Sequence, residues 1–180
     1  PSKLLSDFYG RPTTINCAVG LPQSWADHPE RKYPVHYEVP GFGGEHWGLS
    51  GSDAPGRTVH GGEEFIYVLL DPSCPGGHHV FEDSANNGPW GNALTTELIP
   101  AVEERFHGAG YPARFVTGHS SGGWSSFWLQ VTYPEVFGGC WSTSPDPVDF
   151  RDFQRIDLYA AGVNMFRDEQ GEPRPLARQG

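Results

Sequence analysis

Basic residues are scarce: two lysines, Lys3 and Lys32, stand among 12 basic side chains, against 22 acidic ones, for a formal charge of −10 over 180 residues. No basic cluster appears along the chain, so the phosphate neutralisation that nucleic-acid binding needs is missing and no such partner is expected. No apolar run approaches the ~20 residues of a membrane-spanning helix, so no membrane association is expected either. Three cysteines, Cys17, Cys74 and Cys140, are far apart in sequence and fit no zinc-ligand spacing. An odd count allows at most one internal disulfide, and Cys140, in an apolar stretch, reads as a small buried hydrophobe. The chain opens on Pro1 with no visible signal peptide. Its compartment, cytoplasmic or secreted, is therefore left open.

What is plentiful is glycine, 24 residues, and proline, 17, which predict short elements separated by many turns and long loops. Eleven Phe, seven Tyr and six Trp must carry much of the burial. The length suits one domain, taken as residues 1–180. Residues 13–21 (TTINCAVGL), 33–39 (YPVHYEV) and 64–70 (EFIYVLL) read as strands, the last as one buried on both faces. Residues 45–62 and 73–91 read as irregular loops. Leu94, Leu98, Val102 and Phe106 recur at helical spacing, with Pro100 predicting a kink or break. Further strands are expected at 113–117 and 137–143. Strands alternating with helices predict a mostly parallel α/β sheet with flanking helices.

Gly118-His119-Ser120-Ser121-Gly122 spells G-x-S-x-G between the 113–117 strand and a helix that Pro134 stops. Strand, sharp turn, helix is the context that makes the motif a nucleophile elbow, with Ser120 aimed out of the top of the sheet. Its neighbour His119 is expected to turn into the sheet or helix packing. Asp146, between Pro145 and Pro147 after the last strand, is a candidate acid, although turn chemistry accounts for it equally well. Asp71 reads as a loop cap. The tryptophans read mostly as core, with 86–90 (NNGPW) as a tight turn and candidate substrate loop. Adjacent His78 and His79 cannot face one ion from a strand, so no metal and no cofactor are expected.

The chain resembles the Putative esterase family of α/β-hydrolases, which includes esterase D, feruloyl esterases, enterochelin esterases and mycobacterial mycolyltransferases. The resemblance rests on Lys32-Tyr33-Pro34-Val35 leading into Pro40-Gly41-Phe42-Gly43-Gly44, on Glu97-Leu98-Ile99-Pro100, and on the elbow. The family carries H-G-x-G-G at the first loop, and Pro40 stands here in place of the histidine. The resemblance implies an α/β-hydrolase fold and a serine esterase acting on a small-molecule ester through an acyl-enzyme on Ser120. The amides of Phe42 and Ser121 would form the oxyanion hole. Capture of the same acyl group by an alcohol, or a fold kept for binding without catalysis, are the alternatives.

A serine hydroxyl needs a base, in this fold a histidine late in the chain. The eight histidines are His28, His36, His46, His60, His78, His79, His107 and His119, and none follows Ser120. The expectation is an N-terminal portion of a longer enzyme, incomplete at its C-terminus and prone to self-association through an open edge. A base drawn from His78 or His79 and a non-catalytic fold are the competing explanations.

Overall fold

The computed structural model describes residues 1–49, 57–74, 77–153 and 155–174, and these fall into two compact units, 1–146 and 147–180. The parts of the expected loops and tail at 50–56, 75–76, 154 and 175–180 lie outside the described residues.

The first unit opens with helix α1 (Lys3–Tyr9), whose first turn is capped by the Ser2 hydroxyl accepting from the Leu5 amide at 3.1 Å. Gly10, at φ 64°, closes it in the left-handed conformation. Strands β1 (Cys17–Gly20) and β2 (Val35–Val39) follow, then a short hairpin of β3 (Val59–His60) and β4 (Glu63–Glu64), then β5 (Ile66–Leu70). Two further hairpins lie in the expected 73–91 loop: β6 (Ser73–Cys74) with β7 (Gly77–His78), and β8 (Asp83–Ser84) with β9 (Gly88–Pro89). Helices α2 (Trp90–Ala93) and α3 (Ile99–Phe106), strand β10 (Arg114–His119), helix α4 (Ser121–Thr132) and strand β11 (Gly139–Thr143) complete the unit.

The main sheet has the order β1-β5-β2-β10-β11. Every neighbouring pair is parallel except β1 with β5. The ladders are shorter than the apolar runs that announced them. Pro34 has no amide to offer, so β2 begins at Val35.

The break expected at Pro100 lies one turn earlier than the proline, as a π-helical turn over Leu94–Leu98 that joins α2 to α3. Proline has no N–H to give to the carbonyl four residues back, and the wider turn absorbs the loss. The helix also starts earlier than the leucine spacing shows, at Trp90, so the expected 86–90 turn ends in a buried helical residue. The Trp90 indole N–H caps that turn by donating to the Asn87 carbonyl at 2.7 Å.

One face of the sheet makes the core. Val35, Tyr37, Val39, Ile66, Val68, Leu70 and Val116 pack with Ile99, Val102 and Leu129 from the helices. The alternate residues, among them His36, Tyr67, Phe115, Thr117, His119 and Trp141, line a cleft of about 910 Å³ on the opposite face. Strand periodicity alone produces this division. Cys17, Cys74 and Cys140 are all free and half-buried, so Cys140 is less enclosed than expected. No helix among the described residues is long and apolar enough to cross a membrane.

The described residues of the second unit form turns, with isolated bridges Phe153–Ile156 and Arg167–Pro173 and an edge-on contact between the Phe150 and Phe153 rings. Among its described residues only Ile156 is a buried hydrophobe.

Candidate active site

Strand β10 ends at His119 and helix α4 begins at Ser121, so Ser120 alone makes the reversal. It does so at φ 57°, ψ −125°, a conformation that residues with side chains rarely adopt and that costs of order 1–3 kcal/mol. Two hydrogen bonds fix it: the Ser120 amide donates to the Thr143 carbonyl at 3.1 Å, and the Trp124 amide donates to the Ser120 carbonyl at 3.0 Å.

The flanking glycines are required by contact. A Cβ on Gly118 would lie 2.0 Å from the Gly122 carbonyl oxygen, and one on Gly122 would lie 2.0 Å from that of Val39. Gly123 is also closed in, with the Thr143 oxygen 2.5 Å from where its Cβ would be. Strand, turn and helix are thus packed backbone on backbone. The Ser120 hydroxyl makes no hydrogen bond among the described residues.

The glycine loop after β2 lies beside the elbow. A Cβ on Gly41 would sit 3.5 Å from Ser120 Cβ and 3.1 Å from the His119 carbonyl oxygen. The Gly44 amide donates to the Gly41 carbonyl at 2.9 Å, closing a tight turn with Gly43 at φ 79°. Among the described residues neither the Phe42 nor the Ser121 amide donates to any acceptor. The Phe42 ring is 74% exposed and leans on Gly77.

Asp146 is exposed at the end of the segment following β11, and its Oδ2 accepts from the Ser121 hydroxyl at 2.7 Å. The two histidines weighed as replacement bases are both engaged. His78 Nε2 is 2.9 Å from the Pro40 carbonyl, while its Nδ1 accepts the Val80 amide at 3.0 Å. His79 is fully buried, stacked on Trp90 at 3.7 Å between centroids, and its Nδ1 accepts the Phe81 amide at 3.1 Å. Burial, with the charge of His78 adding to it, pushes His79 down to about 3, so its ring stays neutral. Neither ring has a basic nitrogen free to serve Ser120.

His119 departs from expectation. It is exposed on the cleft face of β10, its Nδ1 3.3 Å from the Thr143 hydroxyl, because β10 continues to residue 119 and strand alternation places it with Thr117 and Phe115. Asp71 does cap its loop, accepting the Ser73 amide at 3.0 Å and hydroxyl at 2.5 Å. It also pairs with His46, whose Nδ1 lies 2.5 Å from Oδ2. Burial works to raise Asp71, and the bonds from Ser73 and His46 outweigh it, leaving its pKa below the usual carboxylate value. This pair joins residues 25 apart in sequence, and no local signal announced it. Among the described residues no group of three or more metal-binding side chains converges.

Known proteins resemble the chain as a whole. The profile of the family described as "Putative esterase" matches residues 10–161. The chain belongs to that family. It is 26% identical over 161 residues to acetylxylan esterase A of Aspergillus awamori, covering 81% of this chain and 50% of that one. A ferulic acid esterase structure superposes with a TM-score of 0.62 at 22% identity, over 80% of this chain and 55% of the other. FphF, a fluorophosphonate-binding serine hydrolase of Staphylococcus aureus, gives 0.58 at 16% identity, over 84% and 57%. The fold of this family member is that of the α/β-hydrolases. The chain spans about half the length of the curated relatives it matches.

Proposed function

We propose that this chain carries the nucleophile of a serine esterase that cleaves small-molecule carboxylic esters through an acyl-enzyme on Ser120. The observation that carries the reading is the elbow: Ser120 stands at φ 57° with an unbonded hydroxyl, on glycines that admit no side chain. Attack of Ser120 Oγ on an ester carbonyl makes a tetrahedral oxyanion, and the alcohol leaves as the carbonyl re-forms. The unengaged amides of Phe42 and Ser121 are the donors for that oxyanion, each contributing about 3 kcal/mol of transition-state stabilisation. Water then releases the acid from Ser120.

The proton from Ser120 requires a base, and His78 and His79 are committed elsewhere. The base is assigned to polypeptide outside these 180 residues, in keeping with relatives about twice as long. Asp146 is the carboxylate at hand to orient it; here its oxygen instead holds the Ser121 side chain at the start of α4. The acetylxylan and ferulic acid esterases among the relatives make acylated plant polysaccharides the substrates to try first.

The experiment is labelling with a fluorophosphonate, with hydrolysis of p-nitrophenyl acetate and of acetylated xylan, by the longest polypeptide that contains this chain. Modification of Ser120, lost in Ser120→Ala, is expected. An active protein labelled elsewhere would sink the assignment.

A further inference from the structure

The Pro40 carbonyl lies just past the point where β2 stops pairing: its ladder with β10 ends at Val39 and with β5 at Glu38. Among the described residues no neighbouring strand supplies that oxygen with a donor, and His78 does. Resting on the reading of Ser120 as nucleophile and Phe42 as oxyanion donor, we infer that His78 is a positioning residue that pins the glycine loop and so fixes the Phe42 amide beside Ser120.

The hydrogen bonds leave His78 one neutral tautomer. Nδ1 accepts the Val80 amide at 3.0 Å, so the proton is on Nε2, which donates to the Pro40 oxygen at 2.9 Å. The segment that brings the ring there is built around this contact. Ser73 pairs with His78 across the β6–β7 hairpin, and Gly77, at φ 109°, lies under the Phe42 ring, 2.8 Å from where its Cβ would be. The next turn runs through Val80 at φ 51° and Phe81 at φ 54°, conformations that a β-branched and an aromatic residue ordinarily avoid. Burial of Phe81 and the stacking of His79 on Trp90 hold the turn in place, and its product is a Val80 amide aimed back at His78.

The same segment grips the far end of the loop. His46 Nδ1 binds Asp71 at 2.5 Å, and Asp71 is itself held by Ser73. The glycine turn is thereby fastened at Pro40 and again at His46, both times to residues 71–80. Between the two fastenings, Gly41 packs on Ser120 and Phe42 presents its free amide.

The test is made in the longest polypeptide that contains this chain and compares the wild type with His78→Gln, whose amide nitrogen reaches the place of Nε2, and His78→Phe, which keeps a ring and donates nothing. Side-chain ¹⁵N shifts report the tautomer, hydrogen exchange of the Gly44 amide, which donates to the Gly41 carbonyl, reports the loop, and the rate of fluorophosphonate labelling reports the oxyanion site. The expected results are an Nε2–H tautomer, exchange at least about tenfold faster in His78→Phe, and labelling ten- to hundredfold slower with reagent affinity unchanged, His78→Gln staying within about threefold of wild type. An Nδ1–H tautomer, or a Gln variant behaving like Phe, overturns the inference; so does unaltered loop exchange in a folded His78→Phe. Should the wild type resist labelling, the esterase reading fails by itself, while tautomer and exchange still decide the role of His78.

Discussion

Gly122 lies so close under the end of β2 that a Cβ on it would stand 2.0 Å from the Val39 carbonyl oxygen. That proximity ties the first turn of α4 to the strand from which the glycine loop departs. It makes the elbow a joint between two parts of the site rather than a property of one turn.

Gly122→Ala sets two effects against each other. In the first turn of a helix, alanine gains about 1 kcal/mol over glycine. Against this, the new methyl meets backbone, which cannot swing aside as a side chain can, and overpacking of this kind costs about 2–3 kcal/mol or more. The collision wins. We expect a lower urea midpoint by tryptophan fluorescence and a displaced glycine loop; a midpoint at or above wild type would show that the packing is looser than described.

Ser120→Gly should stabilise the protein while removing the proposed nucleophile. Relief of a backbone strain of about 1–3 kcal/mol exceeds the additional chain entropy of glycine, about 0.5–1 kcal/mol, for a net gain of about 1 kcal/mol. Ser120→Ala keeps the Cβ and therefore the strain, and should be near neutral. Denaturant titration of the two variants side by side decides the matter: equal stabilities would mean that Ser120 is not strained. This is the stability–activity trade expected of a functional residue.

The elbow was legible in sequence because steric need and chemistry coincide there: only glycine fits at 118 and 122, so the motif records the packing. The buried strands were legible for a similar reason, since Val35, Tyr37 and Val39 alternate with His36 and Glu38 in step with the pleat. The start of the first long helix was not, because Trp90-Gly91-Asn92 has weak helix propensity and tertiary burial of Trp90 overrides it. The contacts of His78 with Pro40, and of His46 with Asp71, span 38 and 25 residues. Nothing in local pattern encodes pairings of that range. His119 was misplaced for a simpler reason: β10 runs two residues past the expected end at 117, and strand alternation puts His119 on the same face as Thr117.

Acid should weaken the fold through His79. Its pKa falls from 6.5 to about 3 on folding, chiefly through burial. The unfolded chain therefore takes up a proton below pH 6.5 that the native state refuses until about pH 3. Stability is undiminished above pH 6.5 and declines by about 1.4 kcal/mol per pH unit between those limits. His36 and His78 are lowered by burial too, and add to the same trend. Comparing His79→Phe with wild type at pH 7 and pH 4.5 isolates the residue: the variant should lose markedly less stability over that interval, and parallel losses would rule His79 out.

The last expectation concerns the base of β10, which carries the elbow at its other end. Arg114 grips Glu103 through Nε–Oε1 at 2.6 Å and Nη2–Oε2 at 2.7 Å, with side chains 13% and 10% exposed, and gives a third bond to the Val136 carbonyl. Burial disfavours the guanidinium charge, and the Glu103 carboxylate outweighs it, holding the Arg114 pKa above its ordinary value. Cutting this pair on one side strands a buried carboxylate, so Arg114→Leu should cost about 3–5 kcal/mol. Removing both partners leaves no orphan charge, and the double variant with Glu103→Leu should recover most of that loss. Urea unfolding of the two singles and the double closes the cycle. Additive losses would mean that the two side chains stabilise β10 separately, through packing, and that their ion pair contributes nothing to the strand that presents Ser120.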